Sequence, residues 1–423
     1  MRVRVILSEA KDLQFRFEAN TSRFFASLRM TDFQERTKRL DMFKPQSTEQ
    51  RIFQEIAKRE TASVAQLARE VGIRPASLVA KLRPLVKKGL LVFGDGRAKV
   101  GIKPDYGQVI GIDLGGSHVH FALADFCGKI LGDSNVKIRP EDGPHKLIGE
   151  IVEGARSLTA KSGGRLRALA IGVPSPVDAE RGVVAFAYNL PGWKDIHLGH
   201  ELAEKLRVPV FLENDGNMAA IGEHWRGVAQ GVDNFVFIAI GTGTGSGVFV
   251  DGKLCRGRTG SAGEVYHMVL EWPRWAENFG DSGHFETYVS GMGIAAEGRK
   301  ALPATAVQAA SGLAAERDAY FVFEAFRNGD PNARAVLEKI FTMLGVGIVN
   351  IISILDPDLI VLGGGIAKGA PEFMLSTVNK IVQHIYKENA PPIKFSSLED
   401  KAQTFGAIRS ALTLAQQAVE RRL

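Results

Sequence analysis

The chain has 423 residues, 45% hydrophobic and 24% charged, with a net charge of +6, and is long enough for two or three domains. No uninterrupted apolar stretch approaches a membrane span, and the basic start lacks the apolar core of a signal peptide, so we expect a cytoplasmic protein without a membrane partner. The two cysteines, Cys127 and Cys255, exclude a disulfide framework and a cysteine-rich zinc site.

The positive charge is concentrated at the front of the chain. Residues 41–103 carry 13 Lys and Arg against 6 Asp and Glu, whereas residues 104–423 carry 31 against 36. A basic segment before an acidic body is typical of a DNA-binding head on a sensor, because only the head must neutralise phosphates. A solvated basic face without a partner is the alternative.

Residues 1–40 have no sustained helical or strand periodicity and resemble translated intergenic repeats of some bacterial genomes. We favour the interpretation that they are a spurious extension, with the true start near Met30 or Met42, and we expect poor order there. The alternative is that residues 1–40 form a basic arm that binds DNA.

Residues 41–103 contain the signals of three helices and a hairpin. Capping boxes begin at Ser47 and at Ser63 and open the first two helices. Gly72 supplies a stop for the second helix, and Pro75 suits the first position of the third. This segment is therefore predicted to be a small domain in its own right.

The end of this segment predicts a wing. Pro84 lies late in the third helix, where it removes one backbone hydrogen bond, so we expect a kink or an early end. Beyond it, Leu90–Phe93 and Arg97–Val100 form a plausible hairpin. Two helices at a tight turn followed by a wing define the winged helix-turn-helix domain.

The third helix is the predicted recognition helix. Four residues at its front or on its outer face can reach the base edges or phosphates of a DNA operator: Arg74, Ala76, Ser77 and Lys81. A small helical domain for protein contact is the alternative, but the charge and the wing together favour DNA. Because such heads read paired half-sites, we expect a homodimer or homotetramer.

Three glycine turns follow apolar strands in the body. The first, Gly111–Ser117, joins strand Val109–Ile112 to strand Val119–Asp125. A strand rather than a helix follows the turn, which argues against a Rossmann dinucleotide site. The backbone amides of such a turn can approach phosphate oxygens, and the carboxylate of Asp113 can hold a hydrated Mg²⁺.

The second turn repeats this strand–turn–strand arrangement, and the third follows another apolar strand. Gly241–Gly247 joins Phe235–Ile240 to Val248–Val250, and Gly363–Gly365 follows the strand Leu359–Leu362. Each turn alone is weak evidence, but three at the ends of three apolar strands strongly indicate a site for a nucleotide phosphate.

Three further segments complete a known pattern. They are Gly172–Asp178, Asn189–Trp193 and Glu213–Asn217. With the glycine turns they resemble the ROK family of sugar kinases and sugar-responsive repressors, and the resemblance covers residues 47–423. It implies an α/β fold, with a two-lobed ribonuclease H-like body of the actin and hexokinase type preceded by a small winged helix-turn-helix domain.

The resemblance also implies domain boundaries and functions. The implied domains are the head at 41–103 and the ROK sugar-kinase-like domain at 104–423, with a small lobe at about 104–222 plus 403–423 and a large lobe at about 223–402. The repressors imply a DNA-binding regulator that responds to a sugar or sugar phosphate, retains the ATP and sugar pocket, and represses carbohydrate-use genes. The kinases imply, as the alternative, an ATP-dependent sugar kinase of the glucokinase type. A binding module without either activity is a third hypothesis.

Individual residues acquire roles from the same resemblance. Asp215 matches the general base that accepts the proton of the attacking sugar hydroxyl. The residues matched to the sugar are Asn189, Asn214, Asp215, Glu264, His267 and Glu286. The residues matched to the nucleotide are Asp113, Gly115, Gly116, Ser117, Gly241, Thr242, Gly243, Gly363, Gly364 and Gly365. ATP and Mg²⁺ are the implied cofactors of kinase activity. These roles have alternatives. Asp215 could instead cap a helix, and Glu264 and His267 could be an exposed pair in a loop.

The chain departs from the family in one loop. The family usually holds zinc with a histidine and three cysteines, but here His267 is joined by Glu277, Phe279 and His284 at the cysteine positions. These are a weak substitute at a site that favours thiolate and imidazole, so zinc is not expected and no metal site is predicted. Asp113, which many repressors of the family have lost, is retained, so the phosphate site is expected to be chemically competent.

Overall fold

The computed structural model of the chain describes residues 47–139, 143–187, 190–279, 283–303 and 319–423. The expectations for residues 1–40 and for Asn189 lie outside the described residues. Within them, the basic head precedes two lobes that each contain a five-stranded sheet.

The head consists of three helices on a small antiparallel sheet. Its helices are α1 (Thr48–Arg59), α2 (Val64–Val71) and α3 (Pro75–Lys87). Its strands are β1 (Thr61–Ser63), β2 (Leu91–Gly94) and β3 (Lys99–Ile102), in the order β1-β3-β2. As expected, Gly72 ends α2 in a left-handed conformation, and Pro75 takes the first position of α3. The head therefore contains the three predicted helices and, in β2 and β3, the predicted hairpin.

Only one of the two capping boxes is complete. At Ser47 the hydroxyl accepts from the Gln50 backbone N–H (3.0 Å), and the Gln50 side chain accepts from the Ser47 N–H (2.8 Å). At Ser63 the hydroxyl accepts from the Gln66 N–H (3.4 Å), but the Gln66 side chain donates to Glu70 instead. The second box was wrongly predicted because a carboxylate one turn further along competes for the amide.

Two further features of the head differ from the prediction. Helix α3 does not end at Pro84 but continues to Lys87, because Leu85 is buried in the core of the head and keeps the last turn in place. Strand β1 pairs with β3 and was not predicted. Three residues are too few to show an alternating pattern, so only the pairing with the wing defines this strand.

Both lobes have a sheet of the same topology. The small-lobe sheet has the order β11-β7-β4-β5-β6, with strands β4 (Gln108–Leu114), β5 (His118–Asp125), β6 (Ile130–Lys137), β7 (Leu166–Val173) and β11 (Val210–Asn214). The large-lobe sheet has the order β14-β13-β12-β15-β16, with strands β12 (Phe235–Ile240), β13 (Thr244–Val250), β14 (Lys253–Leu254), β15 (Leu359–Gly363) and β16 (Ile393–Phe395). In each, three antiparallel strands are followed by two parallel ones. The expected two-lobed ribonuclease H-like fold is confirmed.

Helices cover the sheets of both lobes. They are α4 (Gly143–Ser162), α5 (Leu198–Leu206), α6 (Asp215–Arg226), α7 (Gly291–Ala301), α8 (Tyr320–Arg327), α9 (Pro331–Leu355), α10 (Pro371–Tyr386) and α11 (Ala402–Glu420). A small antiparallel sheet of β8 (Val177–Asp178), β9 (Val183–Phe186) and β10 (Lys194–Ile196) extends the small lobe. Strand β13 begins earlier than predicted, at Thr244, because its glycines lie in the strand and not in the turn.

Glycines bring α6 and α11 into backbone contact. A Cβ on Gly222 would overlap the carbonyl oxygen of Ala402, and a Cβ on Gly406 would overlap the carbonyl oxygen of Met218. Helix α11 also lies against the small-lobe sheet, where a Cβ on Gly111 would stand 2.7 Å from the backbone nitrogen of Ile408. The last helix of the chain therefore packs on the small lobe and fixes the position of α6.

Helix α9 is long and apolar enough, by length and composition, to cross a membrane, with a mean hydropathy of 1.8. From the sequence, no uninterrupted apolar stretch of this length was expected. In the structure Ile340, Phe341, Leu344 and Ile348 of this helix are fully buried in the large-lobe core. The hydropathy of α9 is therefore accounted for by packing inside the protein.

Candidate functional site

Four carboxylates from both lobes converge on one place. They belong to Asp113 in β4, Asp215 at the start of α6, and Glu264 and Glu286 in the large lobe. Asp215 is close enough to act electrostatically on both Asp113 and Glu264, and Glu286 acts on Glu264. We call these four residues the carboxylate cluster.

The end of β11 explains the position of Asp215. The side chain of Asn214 caps α6 by accepting from the Asn217 N–H (3.1 Å), so Asp215 is the first residue of the helix and not its cap. The capping alternative for Asp215 is therefore wrong. The Asp215 carboxylate accepts from the Gly216 N–H (2.8 Å), and the Asn214 amide donates to the Ser175 carbonyl (3.4 Å).

Three of the four carboxylates are harder to ionise than usual. Burial raises the pKa of Asp215 to about 6, although hydrogen bonds from Gly216 and its neighbours oppose the shift. Burial, and then the charge of Asp215, raise the pKa of Asp113 to about 7. Burial, and then Asp215 and Glu286, raise the pKa of Glu264 to about 7. A poorly solvated site lined by carboxylates is suited to ligands that bring hydroxyl donors or a metal-bound phosphate.

Removing one of these charges is expected to stabilise the protein at high pH. The pKa of Asp113 is about 7 in the fold against an ordinary 3.8, so the native state holds more protons and the free energy of unfolding falls as pH rises from about 4 to about 7. Asp113→Asn should therefore raise Tm at pH 8 and leave it unchanged at pH 4. Thermal unfolding at both pH values tests this, with Asp251→Asn at an exposed turn as the control. A gain of the same size at both pH values would contradict the assignment.

The first glycine turn lies at the open end of β4 and β5. The Gly115 N–H donates to the His118 carbonyl (2.9 Å), and the Ser117 hydroxyl contacts the His118 ring (2.8 Å). Gly116 and Ser117 are exposed, next to Asp113 at the end of β4. The turn therefore presents backbone amides to solvent beside a carboxylate, as a phosphate site requires.

The second turn is held by α7. The Gly241 N–H donates to the Gly243 carbonyl (2.8 Å), and the Gly241 carbonyl accepts from the Gly291 N–H (2.8 Å) at the start of α7. Glu286 is attached to the same turn, because its carboxylate accepts from the Thr244 N–H (2.7 Å). A Cβ on Gly243 would overlap that carboxylate, so any larger residue would displace the Glu286 side chain. Glu286 thus links the second turn to the carboxylate cluster.

The third turn abuts the second. Gly364 has a φ of 88°, and a Cβ there would overlap the carbonyl oxygen of Ile240, the last residue of β12. A Cβ on Gly363 would stand 2.6 Å from the ring of Phe237, whereas Gly365 faces open space. Close packing therefore explains the first two glycines, and Gly365 leaves room for a ligand.

His267 is more exposed than Glu264, the predicted sugar ligand nearest to it in the chain. It ends a short 3-10 turn, Val265–His267, and is exposed, with its ring against that of Tyr266 (centroids 4.1 Å apart). Glu264, in contrast, is partly buried among the cluster. The two residues therefore do not form an exposed pair, and only Glu264 is placed with Asp215.

The loop that holds zinc in the family does not fit zinc here. Glu277 is bound to Arg274 (2.6 Å), and Phe279 offers no ligand. His284 is buried, and its Nδ1 accepts from the Leu270 N–H (3.1 Å). Across the described ranges, no group of three His, Cys, Asp or Glu side chains could hold a metal ion. Apolar and charged contacts organise this loop instead.

Comparison with known proteins defines the class. The pattern of the ROK family matches residues 109–417, which include all three glycine turns and the carboxylate cluster. The chain belongs to the ROK family.

The relatives include both kinases and repressors. A glucokinase of Thermotoga maritima is 33% identical over 281 residues, which are 66% of this chain and 88% of the glucokinase. The xylose repressor of Bacillus subtilis is 27% identical over 368 residues, which are 84% of this chain and 92% of the repressor. The repressor thus matches a larger share of this chain than the kinase does.

Solved structures show the same division. A ROK family glucokinase from Streptomyces griseus, in complex with glucose and AMPPNP, has a TM-score of 0.61 at 28% identity and covers 73% of this chain and 100% of its own. A ROK family transcriptional regulator, a homolog of the E. coli MLC protein, has a TM-score of 0.71 at 23% identity and covers 88% of this chain and 97% of its own. The fold of the regulator therefore extends beyond the part shared with the kinase.

The role of one residue beside the cluster was not predicted from the sequence. Glu213 lies in β11 directly before Asn214 and is only 2% exposed, yet it carries an ion pair to Arg256 (2.7 Å). The available signal was a charged residue at the end of the apolar run 208–212, which had been read as part of a family motif.

Proposed function

We propose that this ROK protein is a cytoplasmic transcriptional regulator whose affinity for an operator DNA changes when a sugar binds beside the carboxylate cluster. The observation that carries the proposal is that α6 and α11 each connect the cluster to the head. Relatives named as xylose repressors support the same function, and we propose that this chain represses carbohydrate-use genes.

Helix α6 has one end in the cluster and the other at the head. Its first residue is Asp215, and its last, Arg226, forms an ion pair with Glu60 at the end of α1 (3.7 Å). The Arg226 guanidinium also lies over the ring of Trp225 (4.1 Å), which keeps it extended along the helix. A shift of α6 on ligand binding therefore reaches the head directly.

Helix α11 makes a second connection. Near its start, Thr404 contacts the ring of His120 (3.1 Å), the cross-strand neighbour of Asp113. At its end, the Glu420 carboxylate accepts from the side chain of Gln54 in α1 (2.6 Å). Because glycines lock α11 to α6, the two helices move as one unit, and a ligand that favours one arrangement of the lobes also favours one position of the head.

The head offers a free recognition surface at the front of α3. Arg74, Ala76 and Ser77 are exposed there. Lys81 is partly exposed, and its ammonium group is bound to Glu49 of α1 (2.7 Å), where it joins two helices of the head. We therefore assign DNA contact to the first turn of α3, in a homodimer or homotetramer that presents two heads to paired half-sites.

Arg74→Ala is expected to weaken DNA binding by about fivefold to a hundredfold, because it removes a cation at the front of the recognition helix. Fluorescence anisotropy at fixed salt, with DNA from upstream of the chain's own gene, measures this with and without D-xylose or D-glucose. Arg181→Ala, at an exposed ion pair on the body, is the control and should bind as the unmodified chain does. Absence of DNA binding under every condition would overturn the regulator proposal.

A second function is favoured by one observation, the presence of both Asp113 and Asp215 in the cluster. Asp113 offers a hard carboxylate oxygen beside a phosphate turn, which fits Mg²⁺, since this ion is usually held by one or two carboxylates plus substrate phosphates. Mg²⁺ bound with ATP would supply positive charge to the phosphates. Asp215, with a pKa of about 6, is ionised at neutral pH and can accept the proton of a sugar hydroxyl. Release of ADP over a panel of hexoses and pentoses tests this kinase activity.

A further inference from the structure

Glu213 and Arg256 connect the two sheets beside the cluster. Glu213 lies in β11 of the small-lobe sheet, and Arg256 follows β14 of the large-lobe sheet. The Arg256 Nε donates to the Glu213 Oε2 (2.7 Å), and the guanidinium lies 5.8 Å from the ring centroid of Phe211. This ion pair therefore crosses from one lobe to the other.

The second oxygen of Glu213 holds the first turn of α6. Glu213 Oε1 accepts from the Asn214 backbone N–H (3.1 Å) and from the side-chain amide of Asn217 (3.1 Å). Between these two residues lies Asp215. One buried carboxylate thus binds both the start of α6 and the large-lobe Arg256.

Arg256 stands at the base of the loop that delivers Glu264. Its carbonyl accepts from the Ala262 N–H (3.1 Å), which closes the loop between them. Gly263 follows, with its carbonyl bound by the hydroxyl of Ser246 in β13, and leads directly into Glu264. The ion pair therefore joins the segment that carries Asp215 to the segment that carries Glu264.

These two segments need such a connection because their carboxylates repel each other. Glu264 is partly buried, and the charge of Asp215 opposes its ionisation. Like charges at short range in a poorly solvated site favour separation of the groups that bear them. The Glu213–Arg256 pair opposes that separation.

We propose that Arg256, acting through Glu213, is a positioning residue that holds the Asp215 side of the pocket against the Glu264 side and thereby sets the affinity for sugar. The proposal rests on the sugar site of the proposed function. A purely structural role predicts a different outcome, since neutralising the buried Glu213 together with its half-exposed partner Arg256 leaves no unpaired buried charge and should restore function along with stability.

The test compares Arg256→Gln, Arg256→Lys and the double variant Glu213→Gln with Arg256→Gln. Calorimetry with D-xylose and D-glucose measures affinity, and thermal unfolding measures stability separately. We expect Arg256→Gln to weaken sugar binding about tenfold or more, because a charge-assisted hydrogen bond is lost. Arg256→Lys should recover part of the affinity, and the double variant should recover stability but not affinity. Arg181→Gln, at the surface pair with Asp178, is the matched control.

Wild-type affinity in the double variant would overturn the positioning role. If the unmodified chain binds neither sugar, the proposed response to these sugars is wrong. A second measurement then tests the positioning role of Arg256 independently of sugar binding. In an NMR titration of the Glu264 carboxyl carbon, the pKa of Glu264 should move toward its ordinary value in the double variant. The reason is that Asp215 is no longer held close to Glu264 by the ion pair. An unchanged Glu264 titration in a folded double variant contradicts the proposal.

Discussion

Asp215→Asn is expected to lower the rate of sugar phosphorylation by about 10²- to 10⁴-fold, the usual contribution of a positioned general base. Asparagine keeps the shape of the side chain and can still accept from the Gly216 N–H, so α6 should begin unchanged. It cannot take a proton from the attacking hydroxyl. A coupled assay of ADP release measures the rate, and calorimetry shows whether sugar still binds.

Asp178→Asn is the control, because Asp178 lies in the small lobe, half exposed, and accepts from the Arg181 N–H. Its rate should equal that of the unmodified chain. If Asp215→Asn turned over at the unmodified rate, Asp215 would not be the base. If the unmodified chain releases no ADP with any sugar while it still binds sugar and DNA, the pocket serves sensing alone.

Gly406→Ala is expected to destabilise the protein by about 1–3 kcal/mol or more, although alanine is the better helix former. The added methyl group would overlap the carbonyl oxygen of Met218 in α6, and backbone cannot yield as a flexible side chain does. Urea unfolding measures the change. The change in DNA affinity caused by sugar should also become smaller, because α6 and α11 would no longer move as one unit.

Gly149→Ala provides the matched comparison. Gly149 lies in α4, where a Cβ would meet nothing within 4 Å, so alanine should stabilise the protein by about 0.5–1 kcal/mol. The two substitutions are chemically identical and are expected to change stability in opposite directions. A stabilising Gly406→Ala would contradict the close contact between α6 and α11.

Local signals were sufficient where one chemical feature decides the structure. The capping box at Ser47, the left-handed stop at Gly72 and the three glycine turns were all predicted from residue type and spacing. Local signals were insufficient where two features compete. Helix α3 passes through Pro84 because buried Leu85 holds its last turn, and the side chain of Gln66 bonds Glu70 instead of closing a capping box.

Charged residues were the hardest to place from sequence. Lys81 was predicted to contact DNA, and its pairing with Glu49 was not foreseen; Glu213 was taken as part of a family motif, and its link between the two lobes through Arg256 was not foreseen. In both cases the partner is more than 30 residues away in the chain, so no local pattern could indicate it. The ionisation of a side chain depends on such partners and on burial, which only the packed structure defines.

The sequence by itself determined the helices of the head, the strands that flank the glycine turns and the family, because glycine turns and apolar strands are set by local sterics and hydrophobic periodicity. Only the tertiary structure decided that four carboxylates from both lobes share one site, and that α6 and α11 connect this site to the head. The physical reason is that these contacts join residues distant in the chain, and their strength depends on how completely packing excludes water.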